Sequence, residues 1–179
     1  MLKRSFTTAA IALCAGALLT TGVGQAAATG PGNPAPRDVS ASNCSGEDFA
    51  VTLRAQTEPG SFLLELRNTS DQSCLLGGWV HLTPVTAKGT PIEVPTDYVE
   101  IPTPPVGDQR LEPGATAYSG VRAEYGDTDF TAVGFDATPA DMTGKSPTAV
   151  EGAGEPYPRL QIKDLRVGTL QPTPENVLS

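Results

Sequence analysis

Alternation of apolar and polar side chains is the clearest pattern in this chain of 179 residues. Apolar residues occupy every second position from residue 49 to residue 55, and the alternation resumes between residues 62 and 67. A period of two is typical of a half-buried β-strand, because successive side chains point to opposite faces of a sheet. Residues 58–60, Glu-Pro-Gly, supply a turn between the two runs. The pattern therefore predicts an antiparallel β-hairpin.

Further strand-like segments follow along the chain. They cover residues 75–83, 90–101, 115–121, 130–137 and 159–170. Pro91 and Pro95 interrupt the second of these segments and place it at the edge of a sheet, because proline cannot donate a ladder hydrogen bond. In the last segment the apolar parity switches between Ile162 and Leu165, which predicts a β-bulge near residues 163–164.

The remaining segments indicate loops rather than helices. Residues 102–109 are rich in proline, and residues 138–158 are rich in Gly and Pro without periodicity, so both are interpreted as loops. No segment carries a helical period over three turns. Strands separated by turn signals predict an all-β fold, and we favour an immunoglobulin-like β-sandwich of about seven strands with one disulfide over a barrel.

The first 28 residues carry the features of a secretory signal peptide. Lys3 and Arg4 form the basic segment, and residues 5–24 are uncharged with an apolar core. Residues 26–28, Ala-Ala-Ala, are small enough for the cleavage positions. The apolar core is too short and too interrupted for a retained membrane span. We therefore expect a secreted protein, extracellular or associated with the cell envelope.

Three cysteines occur in the chain. Cys14 follows Leu13, where acylation of a lipoprotein would require a small residue, so Cys14 is expected to leave with the signal peptide. Cys44 and Cys74 then remain. Export to an oxidising compartment predicts that they form one intramolecular disulfide. Two free thiols, or a bridge between chains, are the alternatives.

Composition divides the rest of the chain and limits its partners. Residues 29–42 are rich in Gly and Pro and predict a disordered spacer, residues 43–170 are expected to form the β-sandwich domain, and residues 171–179 are expected to be a flexible tail.

Without Lys3 and Arg4, ten basic residues stand against twenty acidic ones, a net charge of −10. An acidic surface disfavours nucleic acid and anionic lipid as partners.

Several short motifs occur together in one order. They are Cys44 before a strand, Asn68-Thr69-Ser70, Cys74-Leu75-Leu76-Gly77-Gly78-Trp79 and Leu111-Glu112-Pro113-Gly114. The arrangement resembles the secreted actinobacterial family catalogued as domain of unknown function 4232, over roughly residues 44–170. The resemblance implies an extracellular or cell-envelope β-sandwich and supplies no catalytic residues. Many members carry further cysteines in their second half, whereas this chain has none after Cys74, so packing alone is expected to hold its C-terminal strands.

The chain offers few candidate catalytic or metal-binding groups. His81 is the single histidine, no Gly-x-Ser-x-Gly motif occurs, and His81 lies in a predicted strand beside Trp79, so a structural or surface role is expected. One histidine and one distant methionine, Met142, do not make a zinc or copper site. We therefore predict no enzymatic activity, no metal and no cofactor.

Two local motifs are interpreted as turn chemistry. Residues 126–129, Gly-Asp-Thr-Asp, and Glu124 offer alternate carboxylates as calcium loops do, but the further ligands of an EF-hand are absent, so an ordinary hairpin loop is favoured. Asn68-Thr69-Ser70 matches a glycosylation sequon, and a turn is the preferred interpretation there as well.

Candidate partner-binding residues are assigned to loops and to the one tryptophan, because binding residues concentrate on loops held by a rigid scaffold. They are Trp79, Pro104, Pro105, Lys145 and Tyr157. Packing of Trp79 in or near the core is the competing interpretation. The leading hypothesis is a non-catalytic protein that binds an unknown protein or cell-envelope ligand, with no nucleic acid and no membrane span after cleavage. The alternatives are a protease inhibitor presenting residues 138–158, and a hydrolase that uses carboxylates.

Overall fold

The fold was derived from a computed structural model, which describes residues 44–101, 109–153 and 159–177. Ten β-strands run through these residues: β1 Phe49–Ala55, β2 Ser61–Asn68, β3 Cys74–Leu76, β4 Val80–Val85, β5 Thr96–Val99, β6 Gln109–Leu111, β7 Thr116–Tyr125, β8 Gly134–Pro139, β9 Ser146–Glu151 and β10 Ile162–Gly168. Two short 3₁₀ helices, Gly46–Asp48 and Pro174–Asn176, complete the description. The predicted signal peptide and spacer lie outside the described residues.

Eight of the strands form one sheet in the order β4-β8-β9-β1-β2-β7-β10-β5, and β3 and β6 pair separately. The sheet curls strongly, so that its terminal strands β4 and β5 meet through His81 and Tyr98. The predicted β1–β2 hairpin is present and antiparallel. The all-β class is therefore confirmed, with more strands than the seven expected and with eight of them in one continuous sheet.

The apolar alternation of the hairpin builds the centre of the core. Leu53, Leu64 and Leu66 are completely buried, and Phe49 and Val51 are almost so. They pack with the inward residues of β7, β8 and β10 into one apolar cluster. Burial of each such side chain contributes about 1.5–3 kcal/mol relative to exposure.

The predicted disulfide joins Cys44 to Cys74, and both half-cystines are buried. It ties the segment before β1 to the start of β3, which pairs with β6 through Cys74 and Leu111. Asn68 is buried beside this ribbon, and its amide donates to the carbonyls of Gln72 at 2.8 Å and Leu111 at 2.9 Å. The sequon is therefore a structural turn, as interpreted from the sequence.

The segment 75–83, expected to be one strand, is two strands in different sheets. β3 ends at Leu76, and β4 begins at Val80. The break falls at Gly77, where a Cβ atom would stand 2.9 Å from the Cβ of Ala140. Close approach of two backbones is a recurrent reason for glycine inside a strand-like run, and here it separates the two ladders.

The prediction of one long loop over residues 138–158 is wrong for its central part, which forms a strand. β9, Ser146–Glu151, lies inside the sheet, antiparallel to β8 and parallel to β1. Two of its three inward residues are polar: Ser146 and Thr148 are buried, and the Ser146 hydroxyl donates to the carbonyl of Phe49 at 2.6 Å, whereas Val150 is half-buried against the core. The apolar alternation that identifies a half-buried strand is therefore missing from β9.

Two other strand predictions are confirmed. The register of β10 against β7 shifts between Ile162 and Asp164, which is the expected bulge. β5 is an edge strand that pairs only with β10, in parallel, as its flanking prolines indicated. The ordered pairing also reaches one residue beyond the expected domain end, since Gln171 is buried and exchanges two backbone hydrogen bonds with Tyr118.

Candidate functional site

The two ends of the curled sheet diverge from one hairpin turn and leave a groove between them. Val85 bridges to Pro91, and the amide of Ile92 donates to the carbonyl of Pro84 at 2.8 Å. Beyond Ile92 the chain leaves β4 and joins β10 as β5. We call the space between them the seam groove. Residues 81–84, 92–94, 96 and 98 supply its lining, and its volume is about 440 Å³.

A hydrogen bond between side chains closes the seam groove at the end away from the turn. The Tyr98 hydroxyl lies 2.6 Å from His81 Nδ1, and the two rings meet edge to face at a centroid distance of 5.2 Å. Trp79 packs against the same tyrosine, with centroids 6.1 Å apart and an interplanar angle of 64°. Edge-to-face pairs of this kind are a preferred aromatic geometry. We call these three residues the aromatic cluster.

The backbone on both sides fixes the aromatic cluster. The carbonyl of Trp79 accepts from Ala140 at 2.8 Å, which extends the pairing of β4 with β8. On the other side, the carbonyl of Pro95 accepts from Leu165 of β10 at 2.9 Å, and the carbonyl of Val99 accepts from Thr169, the residue after β10, at 3.0 Å. Tyr98 therefore lies between two anchored positions, one just before β5 and one at its end, and rigid elements hold its ring over the groove.

Part of the cluster is open to solvent. Tyr98 is 40% exposed, and Trp79 is half-buried. Partial burial of its phenol raises the pKa of Tyr98 above the ordinary value of 10.0. The indole Nε1 of Trp79 is buried and has no hydrogen-bond partner among the described residues. The seam groove is thus lined by an exposed aromatic ring, Tyr98, while the unsatisfied indole donor of Trp79 is buried behind it and does not line the groove.

The remaining lining of the groove is a mixture of apolar and oxygen-bearing side chains. Leu82 and Ile92 are buried at its base. Glu93 lines the groove, is exposed, and has no ion-pair partner in the part of the chain that the structure describes. Thr83 and Thr96 add hydroxyl groups. A small number of polar groups around an apolar base is the usual composition of a small-ligand site.

A second groove lies at the β1–β2 turn. It has a volume of about 720 Å³ and is lined by residues of that turn together with Tyr125 and Arg159. Tyr125 is 41% exposed and, like Tyr98, has a pKa raised by partial burial. The nearby Glu58 is already engaged in a two-fold pair with Arg122, at 2.8 and 2.5 Å. We call this space the Tyr125 groove.

One pair of acidic residues faces across the sheet next to the bulge. Asp164 lies opposite Glu124 in the β10–β7 register. Partial desolvation and the Glu124 carboxylate raise the pKa of Asp164, against the opposing effect of Lys163, which forms an ion pair with Glu124 at 3.3 Å. The neighbouring loop candidates Asp127 and Asp129 are exposed. Within the described residues, no three His, Cys, Asp or Glu side chains are grouped to hold a metal ion.

The structure brings one of the five sequence-predicted partner residues to the seam. Trp79 belongs to the aromatic cluster, whereas Lys145 is exposed and forms an ion pair with Asp136 on β8. Pro104, Pro105 and Tyr157 lie outside the described residues.

Sequence reasoning missed Tyr98 and Glu93, and it did not connect His81 to either. The prolines around residues 90–101 identified an edge strand, and an aromatic residue on such an edge was the available signal for Tyr98. No local pattern, however, shows which strand faces that edge across a curled sheet.

Fold and site together define a class of protein: an all-β domain with one buried disulfide and an aromatic groove where the ends of its main sheet meet. The model of the family described as domain of unknown function (DUF4232) matches residues 44–171, and the chain belongs to this family. No curated protein and no solved structure matches the chain. No helix among residues 44–101, 109–153 and 159–177 has the length and apolar character needed to cross a membrane.

Proposed function

We propose that this protein is a non-enzymatic binding module that acts outside the cell or at the cell envelope, and that its binding site is the seam groove. The observation that carries the proposal is the position of Tyr98. It is one of two large hydrophobic side chains exposed in the described part of the chain, and Trp79 and His81 hold it at the rim of a groove. Rigid, exposed aromatic residues beside a groove are characteristic of binding surfaces.

The location outside the cytosol is supported by two independent features. Residues 1–28 have the composition of a secretory signal peptide. The Cys44–Cys74 disulfide is of the kind that forms and persists in oxidising compartments. A compact disulfide-linked β domain suits an environment without chaperones or reducing agents.

Binding rather than catalysis is supported by the partners of the groove's titratable residues. The hydrogen-bond partner of His81 is the phenol of Tyr98, whereas hydrolases of the Ser-His-Asp type orient the imidazole with a carboxylate and place it against a nucleophile. The acidic pair Asp164 and Glu124 lines neither the seam groove nor the Tyr125 groove. The Tyr125 groove is lined by two carboxylates, Glu58 and Asp127, but Glu58 is engaged with Arg122, so we favour binding over carboxylate-based hydrolysis.

The protease-inhibitor alternative loses its main support. Its example of a presented loop is residues 138–158, and within them residues 146–148 pair with β8 and residues 148–151 pair with β1. A strand held between β8 and β1 is a poor candidate for insertion into the active-site cleft of a protease.

Co-sedimentation with purified cell-wall sacculi of an actinobacterium tests the proposal. We expect the protein to sediment with the sacculi, and Tyr98→Ala to weaken binding about tenfold, which corresponds to roughly 1.4 kcal/mol. Tyr125→Ala is the matched control, because Tyr125 has nearly the same exposure but lies at the other groove. If the protein stays in the supernatant, or if both variants bind like the original protein, the proposal is wrong.

A further inference from the structure

We infer that the ligand of the seam groove is a neutral, hydroxyl-rich saccharide. This inference rests on the proposed binding function and adds the chemical class of the ligand. It is drawn from three properties of the groove: its exposed ring, its uncompensated carboxylate and the prolines along its sides.

The exposed ring of Tyr98 offers a surface for the apolar face of a sugar. A pyranose ring presents C–H groups on its faces and hydroxyl groups around its rim, so it pairs naturally with an aromatic ring that is surrounded by polar atoms. Trp79 and His81 pack against Tyr98 and hold the ring in place, which lowers the conformational entropy lost on binding. The groove volume of about 440 Å³ lies in the range of small-ligand sites.

The charge of the groove selects against anionic ligands. Its lining contains Glu93 and no Lys or Arg. Asp97 and Glu100 are exposed on the same edge of the sheet. A carboxylate without a counter-cation can accept hydrogen bonds from two hydroxyl groups of a sugar, and such charge-assisted bonds are stronger than neutral ones. A phosphate-rich or uronic-acid polymer would be repelled instead.

The prolines on both sides of the groove select against an extended peptide. A peptide would add to the sheet by pairing with the free edge of β4 or β5. Pro84 lies in β4, and Pro91 and Pro95 precede β5. None of these residues has an N–H to donate, and proline at an edge is a common protection against strand addition. Side-chain recognition of a saccharide does not require these donors.

Trp79 provides a reporter for the test, because it is the single tryptophan of the chain and contacts Tyr98. The probes are three neutral trisaccharides, made of N-acetylglucosamine, of β-1,4-linked glucose and of mannose. Trigalacturonate is the anionic control. We expect at least one neutral probe to change the tryptophan fluorescence saturably with a Kd below about 1 mM, and trigalacturonate to bind at least about tenfold more weakly.

Calorimetry on variants then locates the site without relying on fluorescence. Tyr98→Ala is expected to raise the Kd about tenfold or more, and Glu93→Gln about threefold to tenfold, whereas Tyr125→Ala leaves it unchanged. A weaker affinity of Glu93→Gln cannot be explained by misfolding, because Glu93 is exposed and lies outside every strand of the described residues.

Three results would overturn the inference. They are the absence of binding by all three neutral probes at about 10 mM, equal or tighter binding of trigalacturonate, and sensitivity to Tyr125→Ala instead of Tyr98→Ala. If Tyr98-dependent binding to sacculi persists while the neutral probes fail, the saccharide class is wrong and the binding function stands. If the protein binds neither sacculi nor probes, both are wrong.

Discussion

The hydroxyl of Tyr98 lies 2.6 Å from Nδ1 of His81, and this contact joins the first and last strands of an eight-stranded sheet. The two residues are 17 positions apart in the chain, on either side of the turn from which β4 and β5 diverge. No backbone ladder connects these strands in the described part of the chain. The amide of Leu170, just after β10, also donates to the carbonyl of Gly78, just before β4, at 2.8 Å, so one side-chain and one main-chain hydrogen bond link the two sides at this end of the seam.

Loss of the phenolic hydroxyl should weaken the fold slightly. We expect Tyr98→Phe to lower the free energy of unfolding by about 0.5–1.5 kcal/mol, towards the lower end because the bond is exposed to water. Urea denaturation measures the change. Tyr125→Phe is the control, since no hydrogen bond to its hydroxyl is found in the described residues. Equal stability of Tyr98→Phe and the original protein would show that the His81 contact adds nothing.

Removal of the disulfide should cost much more. Cys44 and Cys74 are separated by 30 positions, and the chain-entropy model gives about 3–4 kcal/mol for a loop of that length. We expect the double variant Cys44→Ala, Cys74→Ala to lose that amount in urea denaturation, a large share of a typical stability of about 5–15 kcal/mol. A reductant should destabilise the original protein and leave the double variant unchanged. A loss below about 1 kcal/mol would contradict the entropic account.

Alkaline pH should destabilise the protein through its two exposed, partly desolvated tyrosines. Burial raises the pKa of Tyr98 and of Tyr125 above 10.0 in the folded state. The unfolded chain then loses these protons first, so folding stability is unaffected below pH 10 and falls as the pH rises beyond it. The absorbance of tyrosinate is followed against pH in the original protein and in the Tyr98→Phe and Tyr125→Phe variants. Each variant should lack one of the two titrations that occur above the ordinary tyrosine pKa. Titration of either residue at or below its ordinary value would refute this prediction.

Neutralising Asp164 should stabilise the protein at neutral pH. Its folded pKa is raised, by desolvation and then by Glu124, so the charged form is disfavoured and stability falls as the pH rises above the unfolded pKa. Like charges opposite one another across a sheet cost about 0.2–1 kcal/mol, and solvent screening favours the lower end here. Asp164→Asn should therefore raise the melting temperature at neutral pH, with a smaller gain in acid.

Asp127→Asn is the control for that measurement, because Asp127 is an exposed loop residue outside the strands. It should leave the melting temperature unchanged at both pH values. A gain from Asp164→Asn that is the same in acid as at neutral pH would exclude the electrostatic explanation.

The elements that could be predicted are those with a local apolar signature. Leu53 and Leu66 alternate with polar neighbours, so the hairpin was evident, and the parity switch after Ile162 identified the bulge. β9 escaped prediction because two of its three inward residues, Ser146 and Thr148, are polar. The Ser146 hydroxyl is hydrogen-bonded to the carbonyl of Phe49, whereas the Thr148 hydroxyl has no partner among the described residues. Periodicity of apolar residues has no means of detecting such a strand.

The candidate site was only partly predictable for a different reason. Trp79 could be singled out as the one tryptophan, but its partner Tyr98 belongs to the opposite end of the sheet. Their meeting depends on the total curl of eight strands, which is a property of the whole sheet. The disulfide, by contrast, could be predicted from two facts alone: two cysteines remain after the expected cleavage, and export leads to an oxidising compartment.

The position of β9 has a consequence for how the chain folds. β1 meets its first neighbour, β2, almost immediately, but its second neighbour arrives only with Ser146, 97 residues after Phe49. Such distant pairing slows folding, because the entropy of closing the loop must be lost before the contacts form. A chain synthesised from its N-terminus therefore keeps its central ladder unfinished until most of its length has left the ribosome.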